Sequence, residues 1–305
     1  MQPSQYVTVA ELLAAPLGLS LRDVTPGTAP RAGQQGATQA MTYDELTALA
    51  QRSSVIADTF CEQVLGATVD SEEHWTGDGL AGIDNNGNVW VQTERWPVVE
   101  ALSFQYGLPY AGGTTWTVAS VSSVLIAGKA RLVYPAGLPQ RGWGQFIRVQ
   151  YSYVNGWPST TLTGAVIAGA TSLPVASATG IQAGQRLTIF DLGQSEAVTV
   201  VESWTPVQGA ASVSLASGTL FAHTPVLPPV PAGQQQYDIA VSALPPDVKE
   251  AVLLIAKALL DVRGSSSLVM GRTGGVTGPS PQAKTQTSLV PPQAEMVLQH
   301  YRRVV

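Results

Sequence analysis

Residues 244–264 read LPPDVKEAVLLIAKALLDVRG, with six consecutive apolar residues from Ala251 to Ala256. At about 100° per residue, Glu250, Lys257 and Asp261 fall on one narrow stripe and nearly everything else around the cylinder is apolar. A surface helix carries a polar face about as wide as its apolar one; this one does not. It must be enclosed on almost every side, by its own chain or by copies of it. The buried face is expected to comprise Val248, Ala251, Val252, Leu254, Ile255 and Leu259. Burying six such side chains contributes on the order of 10 kcal/mol before conformational entropy is set against it.

The rest of the chain offers little charge to keep such a helix in water. Only 12% of the 305 residues are charged, against roughly 25% in an ordinary soluble domain. The net charge of −5 divides as −5 over residues 1–160, −3 over 161–243 and +3 over 244–305. No block of like charge is long enough for direct nucleic-acid reading. The basic tail on an acidic body fits docking to an acidic partner, and fits a solvated terminus equally well. One cysteine rules out an intrachain disulfide and points to synthesis in a reducing compartment. The opening MQPSQYVTVAELL lacks the basic and apolar regions of a secretion leader. No run reaches the roughly 18 apolar residues of a membrane span, so no membrane is expected.

Thr8 to Glu11 forms a T-x-x-E capping box with Val7 and Leu12 as its hydrophobic staple, and Thr42 to Glu45 repeats the device with Met41 and Leu46. The second helix is expected to run to about Leu65, with Leu46, Leu49, Ser53, Ile56, Phe60 and Val64 on its inner face. Between the two helices lies a Gly- and Gln-rich stretch, TPGTAPRAGQQGATQA. From about residue 80 the period changes to two. DNNGN at 84–88 is a hairpin turn, followed by strands VWVQT, RWPVVEALSFQYG (with Pro97 at an edge or bulge), ARLVYP and FIRVQYSY. In the last, Ile147, Val149, Tyr151 and Tyr153 share one face.

After Trp157-Pro158 the texture shifts to short strands and Gly-rich turns with almost no charge, the pattern of a small all-β barrel or sandwich. The apolar helix follows. Then comes a stretch of linker composition from Gly264 to Pro292 and a terminal helix of about 14 residues. Such a helix is marginal alone in water, so it is expected to fold on binding a partner; the alternative is that it packs back on its own domain.

Signatures of enzymatic chemistry are weak. Asp84, Asn86 and Asn88 match the first ligands of an EF-hand loop, but Val89 and Arg95 stand where Gly and Glu are required, so a hairpin turn is the better reading. Gly128-Lys129 lacks the following Ser/Thr of a phosphate-binding loop. His74, His223 and His300 are far apart and without neighbouring cysteines or paired carboxylates in sequence, so neither a metal nor a cofactor is expected. Cys61 is most simply a small core residue. No nucleophile elbow is present, and no enzyme is expected. Trp75, Trp90, Trp96, Trp116 and Trp143 fit a sugar-binding platform or, more simply, core and interface packing.

Taken in order, YVTVAELLAA, MTYDELTALAQRSSVIADTFCEQVLG, VWVQTERWPVVEALSF, IRVQYSYVNGWP and, after an interruption, LPPDVKEAVLLIAKALLDVRG resemble the head–tail connector (adaptor, or head-completion) proteins of long-tailed double-stranded DNA bacteriophages. In shorter members a V-x-Y-x-x-G-like strand end passes almost directly into a P-x-x-(V/L)-K-x-A helix. Here Val149, Tyr151, Gly156, Pro246, Val248, Lys249 and Ala251 fill those places. The match covers roughly residues 6–158 and 244–305; the stretch between has no counterpart.

The resemblance implies an α+β fold: a small helical bundle with β-hairpin and strand elements, plus an inserted all-β barrel or sandwich domain. The adaptor core would comprise 1–159 and 243–305, and the insert 160–242. It also implies a virion neck protein made in the bacterial host cytoplasm. Copies would form a ring, matched to a dodecameric portal, that meets a tail-side head-completion or tail-terminator protein and passes DNA through its lumen without reading sequence. Leu298 and Tyr301 are expected as apolar portal-docking anchors, with Arg302 and Arg303 meeting acidic partner surface. The alternative reading is a carbohydrate-binding or adhesion module, resting on the β-rich insert and the tryptophans.

Overall fold

The computed structural model describes residues 5–15, 43–110, 113–138, 147–227, 237–270 and 290–303. The fold is mixed α plus β with antiparallel sheets, and among the described residues no barrel is closed. Three hydrophobic clusters organise it.

The first is helical. Helix α1 (Val9–Ala14) starts at the expected capping box: Thr8 N donates to Glu11 Oε2 at 2.8 Å, and Glu11 N donates to Thr8 Oγ1 at 3.2 Å. Val7 and Leu12, the staple, are both buried. The second capping box lies outside the described residues, because Thr42 does; so does the Gly/Gln-rich stretch. Helix α2 (Tyr43–Cys61) ends earlier than expected. Glu62 turns to φ +56°, and Tyr6 Oη accepts from the amides of Leu65 and Gly66, both at 2.9 Å. Asp58 Oδ1 also accepts from Leu65 N at 3.0 Å. These side chains take the amides that a longer helix would have used.

The inner face of α2 is rotated from the expected one. Leu46, Ala50, Ser53, Ser54, Ala57 and Cys61 are buried, while Leu49, Ile56 and Phe60 pack half-buried at the margins. Small residues at the centre let helix α3 (Pro246–Met270) approach closely, and the large ones seal the flanks. The backbone of α3 continues through Gly264 and the serines beyond it, where linker was expected; an isolated Gly costs a helix only about 1 kcal/mol. The remaining linker, 271–289, lies outside the described residues. Helix α4 (Pro292–Leu298) and a 3-10 turn (Gln299–Tyr301) close the cluster.

The second cluster lies between two four-stranded sheets. One has the order β1-β8-β4-β5, from strands Thr68–Trp75, Arg148–Asn155, Val98–Tyr110 and Gly113–Val118. The other has the order β2-β3-β7-β6, from Ala81–Ile83, Val89–Gln92, Arg131–Tyr134 and Leu125–Ile126. Val149, Tyr151 and Tyr153 point inward from β8 as their alternation requires, against Phe104, Val89, Val91 and Leu132. Pro97 immediately precedes β4, an interior strand, and β4 shifts register against β8 between Val98 and Glu100 and again between Ala101 and Ser103, so the proline lies just outside the ladder and the irregularities follow it. At the same end Gly156, at φ +83°, donates its N–H to Pro97 O at 2.9 Å and passes so close to the chain after α2 that a Cβ there would sit 2.5 Å from Gly66 O. Only glycine fits.

The third cluster, from Leu162 to Val241, is built by β9 (Ser159–Thr161), β10 (Ser172–Val175), β11 (Arg186–Phe190), β12 (Glu196–Thr199), β13 (Ala211–Ser214) and β14 (Ala240–Ser242). Its sheets are β12-β11-β14-β9 and β10-β13. Single bridges, Leu162↔Val175 and Val200↔Leu215, connect them. Strands β9 and β14 run antiparallel with Ser159 opposite Ser242, and Ala243 N donates to Pro158 O at 2.9 Å. The chain therefore enters and leaves this third cluster at one place. Gly180, at φ +81°, touches that junction; a Cβ there would fall 2.5 Å from the Ala67 methyl.

Candidate functional site

The residues singled out on α3 divide into two groups. Val248, Ala251, Val252 and Ile255 are fully buried, and Ala256 nearly so. Leu254 and Leu259 are only half-buried, as are Leu253 and Leu260. The chain thus encloses one side of α3 and leaves leucines on the other partly open, which corrects the expectation for Leu254 and Leu259. Lys249 reaches Glu11 Oε1 at 2.6 Å, tying the start of α3 to the α1 capping box.

The C-terminal segment packs on its own chain. Leu298 is fully buried with Ala294, so it is a core residue rather than an exposed anchor. The Tyr301 ring stacks on Trp96 (centroids 6.2 Å, 12°) and meets Trp157 edge-on at 5.5 Å. Its hydroxyl donates to Asp247 at 2.9 Å, and burial with that carboxylate nearby pushes its pKa up to about 12. Gln63 Nε2 donates to Tyr301 O at 2.6 Å, and Arg303 N to Cys61 O at 2.8 Å. The side chains of Arg302 and Arg303 pair with Glu62 and Glu94 at the surface. Burial, with Asp58 close by, raises the Cys61 thiol pKa to about 12.

Two polar clusters were not anticipated. On β1 and β8, Glu72 accepts from Tyr151 Oη (2.5 Å), from Tyr153 Oη and from Glu94 N (3.2 Å), and His74 Nε2 lies 3.2 Å away. Burial, then the Glu72 carboxylate, pushes both tyrosine pKa values well above the ordinary phenol range. Beside it Asp70 holds Arg95 at 2.9 Å and the Asn155 amide. In the third cluster His223, fully buried, places Nδ1 2.9 Å from Asp191 and Nε2 2.8 Å from Glu196. Tyr237 Oη donates to Asp191 at 2.8 Å, and Leu220 N and Phe221 N donate to Glu196 at 2.7 and 3.2 Å. Burial works to raise the Glu196 pKa, but the two amides and the imidazole outweigh it and hold the carboxyl below its ordinary value. The expectation that the histidines lack paired carboxylates is corrected here: the pairing is made across strands, between residues 27 and 32 positions apart. Among the described residues no group of three or more His, Cys, Asp or Glu is arranged to hold a metal ion.

The remaining motifs have structural roles. Asp84 accepts from Asn88 N (3.0 Å), Asn88 Nδ2 (2.8 Å) and Asn86 N (2.8 Å), closing its own turn. Those donors, Asn88 N foremost, keep its pKa low. Lys129 Nζ sits 4.8 Å above the Trp96 ring and Arg131 stacks 4.3 Å from the Trp90 ring, so those tryptophans carry cation–π contacts. Trp75 is 56% exposed; Trp143 lies outside the described residues. A polar cleft of about 610 Å3 opens where Tyr6, Thr8 and Gln51 face Thr68, Thr160 and Ser177. No described helix is long and apolar enough to cross a membrane.

No family model, no curated protein and no solved structure matches this chain.

Proposed function

We propose that the protein is a structural adaptor of the bacteriophage neck: a ring of copies that joins the portal to tail-side head-completion or terminator proteins and continues the DNA channel. The observation that carries this reading is the junction at Ser159 and Ser242. There the strand end bearing Val149, Tyr151 and Gly156 is delivered to the helix bearing Pro246, Val248, Lys249 and Ala251, although more than eighty residues separate them in sequence. The resemblance calls for such a passage from strand to helix. In this reading residues 160–242 form an all-β insert on an adaptor core of 1–159 and 243–305, and the helices gather into a small bundle around α3. Arg302 and Arg303, at the surface, are the portal-facing charges. The half-open leucines of α3 suit a helix completed by neighbouring copies, and the acidic balance of the chain suits a lumen that lets DNA slide, since a strongly basic wall would hold its phosphates. Negative-stain images of the purified protein mixed with its portal test the reading. A ring stacked coaxially on the portal is expected; separate particles, with neither ring nor portal contact, would overturn it.

A further inference from the structure

One rim of the two-sheet unit is built unlike the other. On one side the end strand β1 carries Asp70, Glu72 and Glu73, the kind of charge that keeps a sheet edge from pairing with another chain. On the other side the end strands β5 and β6, with the 3-10 turn Val121–Ser123 between them, carry none. No charged residue occurs between Glu100 and Lys129. Yet this rim is exposed: Val118 is 78% accessible, Leu125 61% and Ile126 41%. An open, apolar and uncharged edge of two sheets is a surface for association.

A matching feature lies elsewhere in the fold. An apolar groove of about 320 Å3 opens between α1, α3 and β11, lined by Val7, Ala14, Ala15, Phe190, Pro246 and Leu253. Of the charges at its margin, Glu11 and Lys249 satisfy each other at 2.6 Å, and Glu250 stands exposed at the mouth, so the margin as a whole is acidic. An acidic partner surface would be left uncompensated there; an uncharged apolar edge would not. The chain is acidic overall, at −5, and a rim without charge adds no acid to a contact with the Glu250 side of the groove.

We infer that the β5–β6 rim of one copy docks in the α1–α3 groove of the next. The contact joins two different patches of one chain, and such heterologous contacts propagate head to tail and close into a ring when the rotation allows. The inference rests on the ring reading for its geometry and adds the surfaces that would make it.

The test uses the full chain and two variants at exposed positions: Leu125→Glu on the rim and Ala14→Lys in the groove. Mass by analytical ultracentrifugation is expected to rise with concentration for the parent protein and to stay monomeric for each variant alone. Mixed, the two variants should form a one-to-one complex and nothing larger, because one intact rim and one intact groove remain between them. That complex also proves both variants folded. A parent chain that stays monomeric at every concentration, variants that associate like the parent, or a mixture that stays monomeric would each overturn the inference. Ring formation on the portal by a variant that is monomeric alone, seen by electron microscopy, would sink the rim-to-groove contact while leaving the adaptor reading standing.

Discussion

Glu11 and Lys249, 238 positions apart, lie 2.6 Å from each other with side-chain exposures of 7% and 17%. Glu11 does two things at once: it completes the α1 capping box and neutralises the first turns of α3. Glu11→Ala removes both, whereas Lys249→Ala removes only the pair. Denaturant unfolding should show the first to be more destabilising by about 1 kcal/mol, the worth of a cap. Equal losses would mean that the cap contributes nothing.

The C-terminal segment should prove part of the folding unit. Truncation after Gly264 deletes Val290, Ala294 and Leu298, all buried, together with the Tyr301 contact to Trp96. Leu298→Ala alone should cost about 2–5 kcal/mol, seen as a lower melting temperature with the same circular dichroism at 20 °C. A truncated chain with an unchanged melt would place those side chains outside the core.

His223 stands between two carboxylates whose side chains are 13% and 3% exposed. His223→Ala leaves those carboxylates facing each other in a dry site and should destabilise the protein by about 3–5 kcal/mol. His300→Ala, at an exposed ring bonded to the backbone carbonyls of Met296 and Val297, should change stability by less than about 0.5 kcal/mol.

Two carboxyl groups give pH dependences of opposite sign. The folded-state pKa of Glu196 lies below the ordinary 4.5, so its contribution is present above that value and is lost as pH falls through the depressed pKa. Glu100 lies above 4.5, raised by burial against the opposing pull of Gln182; its contribution is present below 4.5 and is lost as pH rises through the raised pKa. Glu100→Gln should therefore melt higher than the parent at pH 7, with the gap closing towards pH 4. Glu196→Gln should melt lower at pH 7 and lose less on acidification. Thermal melts across that range decide both.

Excision gives the fifth test. Replacing residues 160–241 by a short Gly-Ser linker should leave a folded helical core, because Ser159 and Ser242 are already neighbours. Residues 160–242 expressed alone should melt cooperatively around their own cluster. Aggregation of the first together with a structureless second would show that the two regions need each other.

Much of this architecture could be read along the chain. The T-x-x-E box at Thr8, the DNNGN turn and the alternation through Val149, Tyr151 and Tyr153 are local signals, set by neighbours a few residues away. Strand β1 escaped notice because TVDSEEHW alternates polar with polar; its inward side chains, Asp70, Glu72 and His74, are made acceptable by Arg95, Tyr151 and Tyr153, which sequence spacing does not connect. The His223 site is hidden for the same reason. Leu298 and Tyr301 looked like free anchors because the terminal helix is short and follows a linker-like stretch, and only the packed fold places Cys61 and Trp96 beneath them. The inner face of α2 is hard to read from sequence because its centre is made of Ala50, Ser53, Ser54 and Ala57, small residues that close helix packing needs but that carry little hydrophobic signal.

The paired ends of the two β-regions bear on how the chain can fold at all. Thr68 stands opposite Asn155, and Ser159 opposite Ser242, so each β-region begins and ends at one point, and both are strung in series between Leu65 and Leu244. Joining α2 to α3 directly from the unfolded chain means closing a loop of about 180 residues. Once both β-regions have formed, the effective loop is only a handful of residues, which lowers the closure entropy by about 3 kcal/mol on a (3/2)RT ln n scaling. The helical cluster, though its first strand of chain leaves the ribosome early, is therefore best assembled last, and a defect in either β-region would delay it without touching a single helical contact.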